Sequence, residues 1–241
     1  DMAVTPEPTN MRICGAHLGG GIWGAHFRGT GGIVFSGEQV TSALEQAVAF
    51  IGLLHDFESH WNAVCRPPQW WEPGYRLSVL VNAIHAGTAA GQVPDTTPAH
   101  GDVTFWIEGY PGTTEERILS ELRRFYEERR DRYPKLPQWP EVKRIIRYLE
   151  ASETPAGEMR DRFFAAAQAA YGRASGKAYA GPPAGAPFAC DGFMFNHYSP
   201  TPAVILGPSG ANAHAADEWL DLDSYIALIR WYAEIIADWC G

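Results

Sequence analysis

Cysteine is scarce in this sequence: four in 241 residues, at positions 14, 65, 190 and 240, with no Cys-x-x-Cys pair among them. That spacing excludes a disulfide framework and a structural zinc knuckle, and leaves free thiols of a reducing cytoplasm as the reading. Positive charge is also short. Nineteen Lys and Arg stand against 28 Asp and Glu, a net charge of −9. Binding to nucleic acid without sequence preference draws its affinity from neutralised phosphates, and docking on anionic lipid needs basic clusters, so both are excluded as functions. No apolar run approaches the roughly 20 residues of a membrane span, and nothing at the N-terminus reads as a signal peptide. The sequence opens on Asp1 rather than Met, which suggests a processed product, a trimmed chain or a fragment. What is abundant is apolar material. Hydrophobic residues make up 46% and aromatics 12%, with nine Trp, a content that requires a packed core and excludes a disordered chain.

Periodicity orders the middle of the chain. Residues 21–29 alternate as a half-buried strand. Val40, Ala43, Leu44, Ala47, Val48, Ile51 and Leu54 follow helical spacing, which puts Leu44 and Val48 on the core side. Pro67-Pro68 and Trp70-Trp71-Glu72-Pro73-Gly74 break that helix with a loop, the Trp pair acting as a hydrophobic anchor. Strands are expected over 75–86 and 102–108. Thr113 and Glu116 have capping-box spacing for the helix that follows Pro111-Gly112, and 141–149 reads as a strand. Strand, helix, strand, strand, helix, strand is the split βαβ, ferredoxin-like layout, giving a domain over 21–149. In the remainder, a helix containing Met159 to Tyr171 ends near Gly172 and 175–187 is a loop. Residues 201–206 form a short buried strand that runs into the loop 207–218, and a helix closes the chain over 222–240. A loop leaving the carboxyl end of a buried strand is where open α/β sheets place ligands. Residues 1–20 and 150–241 supply only two or three candidate strands, too few for a doubly wound domain.

Two motifs bracket this arrangement. Thr5-Pro6-Glu7-Pro8-Thr9 and Gly15-Ala16-His17-Leu18-Gly19 stand at the start. Cys190-Asp191-Gly192, Ile205-Leu206-Gly207-Pro208-Ser209 and Ala213-His214-Ala215-Ala216-Asp217-Glu218-Trp219 stand near the end. Their order around a βαββαβ insert resembles the second half of the metal-dependent acetylornithine deacetylase, succinyl-diaminopimelate desuccinylase and carboxypeptidase G family. The resemblance implies an α/β fold in two parts: a portion of a doubly wound, zinc-exopeptidase-like catalytic domain over 1–20 and 150–241, and an inserted ferredoxin-like lid and dimerisation domain over 21–149. It also implies a pair of divalent metals, two zinc ions with manganese or cobalt as alternatives. Glu7 falls on the carboxylate ligand of one metal and His214 on the imidazole ligand of the other, donor types that suit such ions. Asp191 and Glu218 fall on acidic positions beside the site. His17, His85 and His197 read as packing or hydrogen-bonding histidines.

The His-x-Asp pair, the bridging Asp and the Glu-Glu general base belong to the family's first half. The adjacent Glu pairs of this chain, Glu115-Glu116 and Glu127-Glu128, lie on a helix of the insert. The resemblance therefore implies one chain of a two-chain amidohydrolase or deacylase, cut ahead of Glu7, whose N-terminal chain supplies the remaining ligands and the base. The insert departs from the family pattern: Ile33 replaces a His, Glu108 an Arg, and Gly91-Gln92-Val93-Pro94 the usual Asn-Val-Val-Pro. Those losses favour an amide substrate without a free carboxylate, with His26 as a substitute donor. The expected partners are the N-terminal chain, a second copy through the lid domain and a small amide substrate, without nucleic acid or membrane, in the cytoplasm. The alternatives are a non-catalytic dimerising or regulatory relative, a truncated fragment, and a binding domain with a pocket of Trp and Tyr.

Overall fold

The computed structural model describes residues 1–33, 39–87 and 96–241, and these hold two main sheets. One is built from short strands: β1 (Ala3–Thr5), β2 (Cys14–His17), β7 (Ser152–Glu153), β8 (Ala184–Ala186) and β9 (Ala203–Ile205). The other contains β3 (Gly19–Arg28), β4 (Val79–Ala86), β5 (His100–Gly109) and β6 (Glu141–Leu149), in the order β4-β5-β3-β6 with every pairing antiparallel. A separate hairpin joins β10 (Gly210–Ala211) to β11 (Trp219–Leu220).

Alternation explains the four-stranded sheet. Trp23, Ala25 and Phe27 on β3 and Val103, Phe105 and Ile107 on β5 are buried, while their neighbours face outward. Helices α1 (Ala43–Val64) and α2 (Glu115–Arg129) cover the buried face, and Phe50 of α1 meets Phe105 edge to face at 5.5 Å. The phase of α1 corrects the sequence reading. Ala43, Ala47, Phe50, Leu54, Phe57 and Trp61 are buried, whereas Leu44 and Val48 are exposed. The two stripes lie side by side over residues 40–54. Phe57 and Trp61, beyond that window, decide between them because each buries far more area than a Val. The α2 cap is also one residue later than expected. Thr114 accepts from the Arg117 N–H (3.2 Å), while the Thr113 carbonyl accepts the Tyr148 hydroxyl (3.0 Å).

In the five-stranded sheet β1 and β9 run parallel, β9 and β7 run antiparallel to β2, and β8 joins β2 in parallel. Five strands stand where two or three were expected, because strands of two to four residues are too short to show a period. One of them, β8, falls inside the expected loop 175–187. Helix α3 (Glu158–Ser175) also runs past Gly172, to a left-handed cap at Gly176. It packs on α5 (Leu222–Cys240), where the Trp231 indole donates to the Ala167 carbonyl at 2.7 Å. Helix α4 (Gly192–Tyr198) closes the set.

The two sheets meet through Trp70 and Trp71, which behave as the anchor expected of them. Trp70 lies over Gly15 and donates to Glu153 (2.7 Å), and Trp71 lies over Gly185, so a Cβ at either glycine would run into an indole. One stripe of α5 stays uncovered: Leu222, Tyr225, Ile226, Ile229 and Ile236 are exposed, opposite the buried Leu228, Trp231 and Ile235. Among the described residues, no helix is long and apolar enough to cross a membrane.

Candidate active site

The carboxyl ends of the parallel neighbours β1 and β9 point the same way, with Thr5 opposite Ile205. Just beyond them, at Thr9 and Gly207, the chains lock together. Gly207 N–H donates to the Thr9 hydroxyl (3.0 Å), and that hydroxyl donates to the Arg12 carbonyl (2.7 Å). Met11 N–H donates to the Gly207 carbonyl and Asn10 N–H to that of Pro208. A side chain at Gly207 would collide with the Glu7 carbonyl. Asn10 and Met11 hold left-handed backbone (φ 54° and 62°), a strained geometry for residues with a Cβ that the surrounding bonds maintain. Thr9 thus fixes the Glu7 loop against the loop that leads to His214, a role not assigned to it from the sequence.

Glu7 is half-buried between Pro6 and Pro8. His214 is exposed, with φ 62°, in the turn between β10 and β11. A cavity of about 540 Å³ lies between their loops, lined by Pro6, Pro8, Asn212, Ala213 and Glu218. Asp191 is exposed and caps α4 by position without a side-chain hydrogen bond. Burial pushes the Cys190 thiol up to about 12, and the Glu7 and Asp191 carboxylates add to that rise, which brings both acids close to the sulfur. The fold therefore gathers Glu7, Cys190 and Asp191 in one neighbourhood; Glu218 lines the adjoining cavity, whereas His214, next to the lining Ala213, does not.

Beneath α4 the His17 ring is fully buried. Its Nδ1 donates to the Leu18 carbonyl (2.7 Å), so Nε2 accepts the Ser152 hydroxyl (2.9 Å). Burial holds its pKa down to about 4, which makes it a neutral structural imidazole.

Other expected site residues lie elsewhere. His26 is seven residues along β3 from Gly19, about 23 Å at strand rise, and pairs with Asp102. Glu108 is engaged in the fold. Its carboxylate accepts the Ser78 N–H (2.7 Å) and its carbonyl accepts the Trp61 indole (2.9 Å), and burial raises its pKa. Ile33 is exposed next to the Gly32–Thr97 bridge, and Gly91-Gln92-Val93-Pro94 lies outside the described residues. A His-x-Asp spacing does occur, as His100-Gly101-Asp102, but on β5 at the His26 end of the insert. Among the described residues no group of three His, Cys, Asp or Glu side chains converges as a metal site. The donors of this chain alone do not fit a dinuclear centre.

A family model described as Peptidase family M20/M25/M40 matches residues 12–238. The chain belongs to that family. No curated protein sequence matches it significantly. Among solved structures, a tripeptidase from Staphylococcus aureus is similar, with a TM-score of 0.67 at 16% identity over 98% of this chain and 56% of that one. The di-peptidase Dug1p of Saccharomyces cerevisiae gives 0.64 at 12% identity, over 97% and 57%. Human carnosine dipeptidase 1 gives 0.63 at 14% identity, over 98% and 58%. Identities this low carry the peptidase family fold, not a substrate. The chain spans little more than half the length of these structures. Hydrolases of this family act on amide bonds and are generally dependent on a pair of metal ions.

Proposed function

We propose that this chain is part of a metal-dependent hydrolase that cleaves an amide, N-acyl bond, of the acetylornithine deacetylase, succinyl-diaminopimelate desuccinylase and carboxypeptidase G kind. Glu7 and His214 are its share of the metal ligands, and Asp191 and Glu218 lie beside them. The observation that carries the reading is the Thr9–Gly207 lock, which holds the Glu7 loop against the loop leading to His214 at the carboxyl ends of parallel strands. That is the crevice where α/β sheets bind ligands. Zinc is the metal proposed. Because these donors fall short of a dinuclear site, the remaining ligands and the general base come from polypeptide outside this sequence. The exposed apolar stripe of α5 and the open edge of β1 support a covering segment there.

Residues 21–149 form the ferredoxin-like lid, a reading supported by the strand order β4-β5-β3-β6, and the lid pairs with a second copy. Residues 1–20 and 150–241 belong to the catalytic domain. Glu108 and Ile33, standing where the family carries an Arg and a His, favour an amide substrate without a free carboxylate.

The test recovers the tagged chain from its native source and measures co-purifying polypeptide, metal content and hydrolysis of N-acyl amides. A partner segment, bound metal and activity are expected, and Glu7→Gln and His214→Ala should each remove metal and activity while the fold persists. Unchanged metal content and activity in both variants would overturn the assignment. A second reading, a non-catalytic dimerising relative, is favoured by the lack of a three-donor group among the described residues. A metal-free, inactive preparation with no second polypeptide would establish it.

A further inference from the structure

The chain passes between the two sheets only as a two-stranded ribbon, and one short helix holds the place where that ribbon breaks. Only Leu18 separates β2 from β3, and only Glu150 and Ala151 separate β6 from β7. Strand β2 pairs with β7, His17 opposite Ser152, and β3 pairs with β6, Gly20 opposite Leu149. The same two antiparallel segments therefore run from one sheet into the other. At the break they touch: a Cβ on Gly19 would meet the Ala151 nitrogen and the Leu149 carbonyl. Three consecutive side chains of α4 hold the returning segment. Asn196 donates to the Ser152 hydroxyl oxygen (3.1 Å), the His197 ring to the Ala151 carbonyl (3.1 Å), and the Tyr198 hydroxyl to the Glu150 carboxylate. Asn196 also accepts the Ala203 N–H of β9 (2.8 Å), which fixes this point of α4 to the five-stranded sheet. Arg147 of β6 adds a contact from the insert. Its guanidinium lies 5.1 Å from the Phe193 ring centroid and 3.3 Å from the Met194 sulfur. The opposite end of α4 belongs to the candidate site. Asp191 immediately precedes the helix, and Gly192 is so near His17 that a Cβ would come within 3.3 Å of the ring. Between α4 and the insert lies a cavity of about 670 Å³, lined by Glu116, Arg144, Met194 and Tyr198 among others, which leaves room for the two units to close. The Trp70–Trp71 anchor keeps such a movement to a small rotation, since both indoles lie on glycines of β2 and β8.

We propose that α4 is a coupling element, which links the angle between the insert and the five-stranded sheet to the placement of Asp191. A helix of two turns moves as one piece, and Asn196 is its fixed point. Rotation of the insert displaces Arg147 and Glu150. These carry Phe193, Met194 and Tyr198 with them, and the first turn of α4 shifts relative to His17 and Cys190. Coupling of this kind runs through packed side chains and hydrogen bonds between rigid elements. Arg147 and Glu150 are thus positioning residues, and whatever closes the insert sets the acid near Glu7. That consequence for hydrolysis rests on the reading of the Glu7 neighbourhood as the site; the coupling itself does not.

The 241-residue chain is followed by NMR. Residual dipolar couplings of β3 and β5, set against those of α3 and α5, report the angle between the units. The Asp191 and Gly192 amide resonances report the site end of α4, as does hydrogen exchange of the Met194 N–H, which donates to the Asp191 carbonyl (2.9 Å). Arg147→Ala and Glu150→Ala alter the insert end alone. Each should change the angle, shift the Asp191 and Gly192 resonances and speed Met194 exchange about fivefold, the effect of one hydrogen bond's net worth. Glu150→Gln keeps an acceptor for Tyr198 and Arg147→Lys keeps a cation over Phe193, so both should restore the natural values. A changed angle with Asp191 and Gly192 unmoved would overturn the proposal, because the two ends of α4 would be uncoupled. An unchanged angle in both alanine variants would overturn it as well, and so would conservative variants as disturbed as the alanines, which would reduce the effect to lost packing. Tyr198→Phe, at a position 64% exposed, supplies the same readouts if either alanine variant does not fold. None of these measurements needs metal or hydrolysis, so the coupling and the hydrolase reading fail separately.

Discussion

The two sheets solve the burial problem differently. The four-stranded sheet has strands of eight to ten residues, and α1 and α2 close over one whole face of it, around Trp23, Phe50, Phe105 and Trp61. The five-stranded sheet has strands of two to four residues, and its helix α5 buries one stripe while leaving another in solvent, with Ile229 53% and Ile236 61% exposed. Secondary structure survives only where its apolar face is covered. The first sheet covers one face with its own helices and leaves Leu80, Ile84, Ile145 and Ile146 of its edge strands exposed, whereas the second relies on the Trp70–Trp71 anchor, on the α3–α5 contact and, in our reading, on polypeptide outside this sequence. The contrast teaches that one chain can join a sheet whose helix-packed face is fully covered to one whose helix leaves an apolar stripe in solvent.

The most forceful way to break this comparison is to empty each core in turn. Trp61→Ala and Trp231→Ala remove fully buried indoles whose N–H groups are bonded to the Glu108 and Ala167 carbonyls. Each should cost about 3–5 kcal/mol. If the sheets are separable, hydrogen exchange will show Trp231→Ala loosening α3 and α5 while β3 and β5 stay protected, and Trp61→Ala loosening the insert. Equal loss of protection everywhere in both variants would make the chain one cooperative unit and end the distinction.

Acid should act on the second sheet first. Burial holds His17 at about 4 in the fold, against an ordinary value of 6.5, so only the unfolded chain takes up its proton between those values. Stability is therefore complete above pH 6.5 and is lost as the pH falls toward 4, by an amount on the order of 3 kcal/mol. Denaturant melts at pH 7, 6, 5 and 4 measure it. His17→Gln should start less stable at pH 7 and flatten that slope, and a slope as steep in the variant as in the natural chain would assign the acid sensitivity to other groups.

Legibility followed the same division. Strands β3 and β5 were readable because their residues alternate, and α5 because apolar residues recur along it at helical spacing, although those at Leu222, Tyr225, Ile226, Ile229 and Ile236 face solvent. Strand β6 carries no alternation. Strands β1, β2, β7 and β8 carry no such signal, since two to four residues fit any pattern. At the site, Glu7 and His214 were picked out by motif order, but the residue that joins their loops, Thr9, bonds to a glycine 198 positions away. No local spacing announces that. Glu108 was noted only as standing where the family carries an Arg, and nothing local announces that its carboxylate accepts the Ser78 N–H, 30 positions away. The misplaced stripe of α1 came from counting periodicity without weighting side-chain area, which Phe57 and Trp61 dominate.

The exposed stripe of α5 sharpens the comparison through a variant that ought to do little by itself. Ile229→Glu combined with Ile236→Glu should change the stability of the 241-residue chain by no more than about 0.5 kcal/mol per site, because both side chains already face water. The same pair should abolish recovery of a covering segment from the native source. A large loss of stability in the isolated chain would show that α5 is already covered on that face.

Helix α1 provides the matching control and the smallest effect. Leu44 is 37% exposed and Val48 57% exposed, as isolated apolar residues on a helix whose other face is fully engaged with Phe50, Leu54 and Trp61. Scattered exposed apolar side chains are ordinary and need no cover, in contrast to the five residues that run the length of α5. Leu44→Asp should therefore shift the folding free energy by about 0.5 kcal/mol or less, measured by urea denaturation. An aspartate in the first turn, beside the Ser42 cap, even gains from the helix dipole. A loss of several kcal/mol would mean that this face of α1 is buried in solution, and the exposed side of α1 would then be covered as we propose for the stripe of α5.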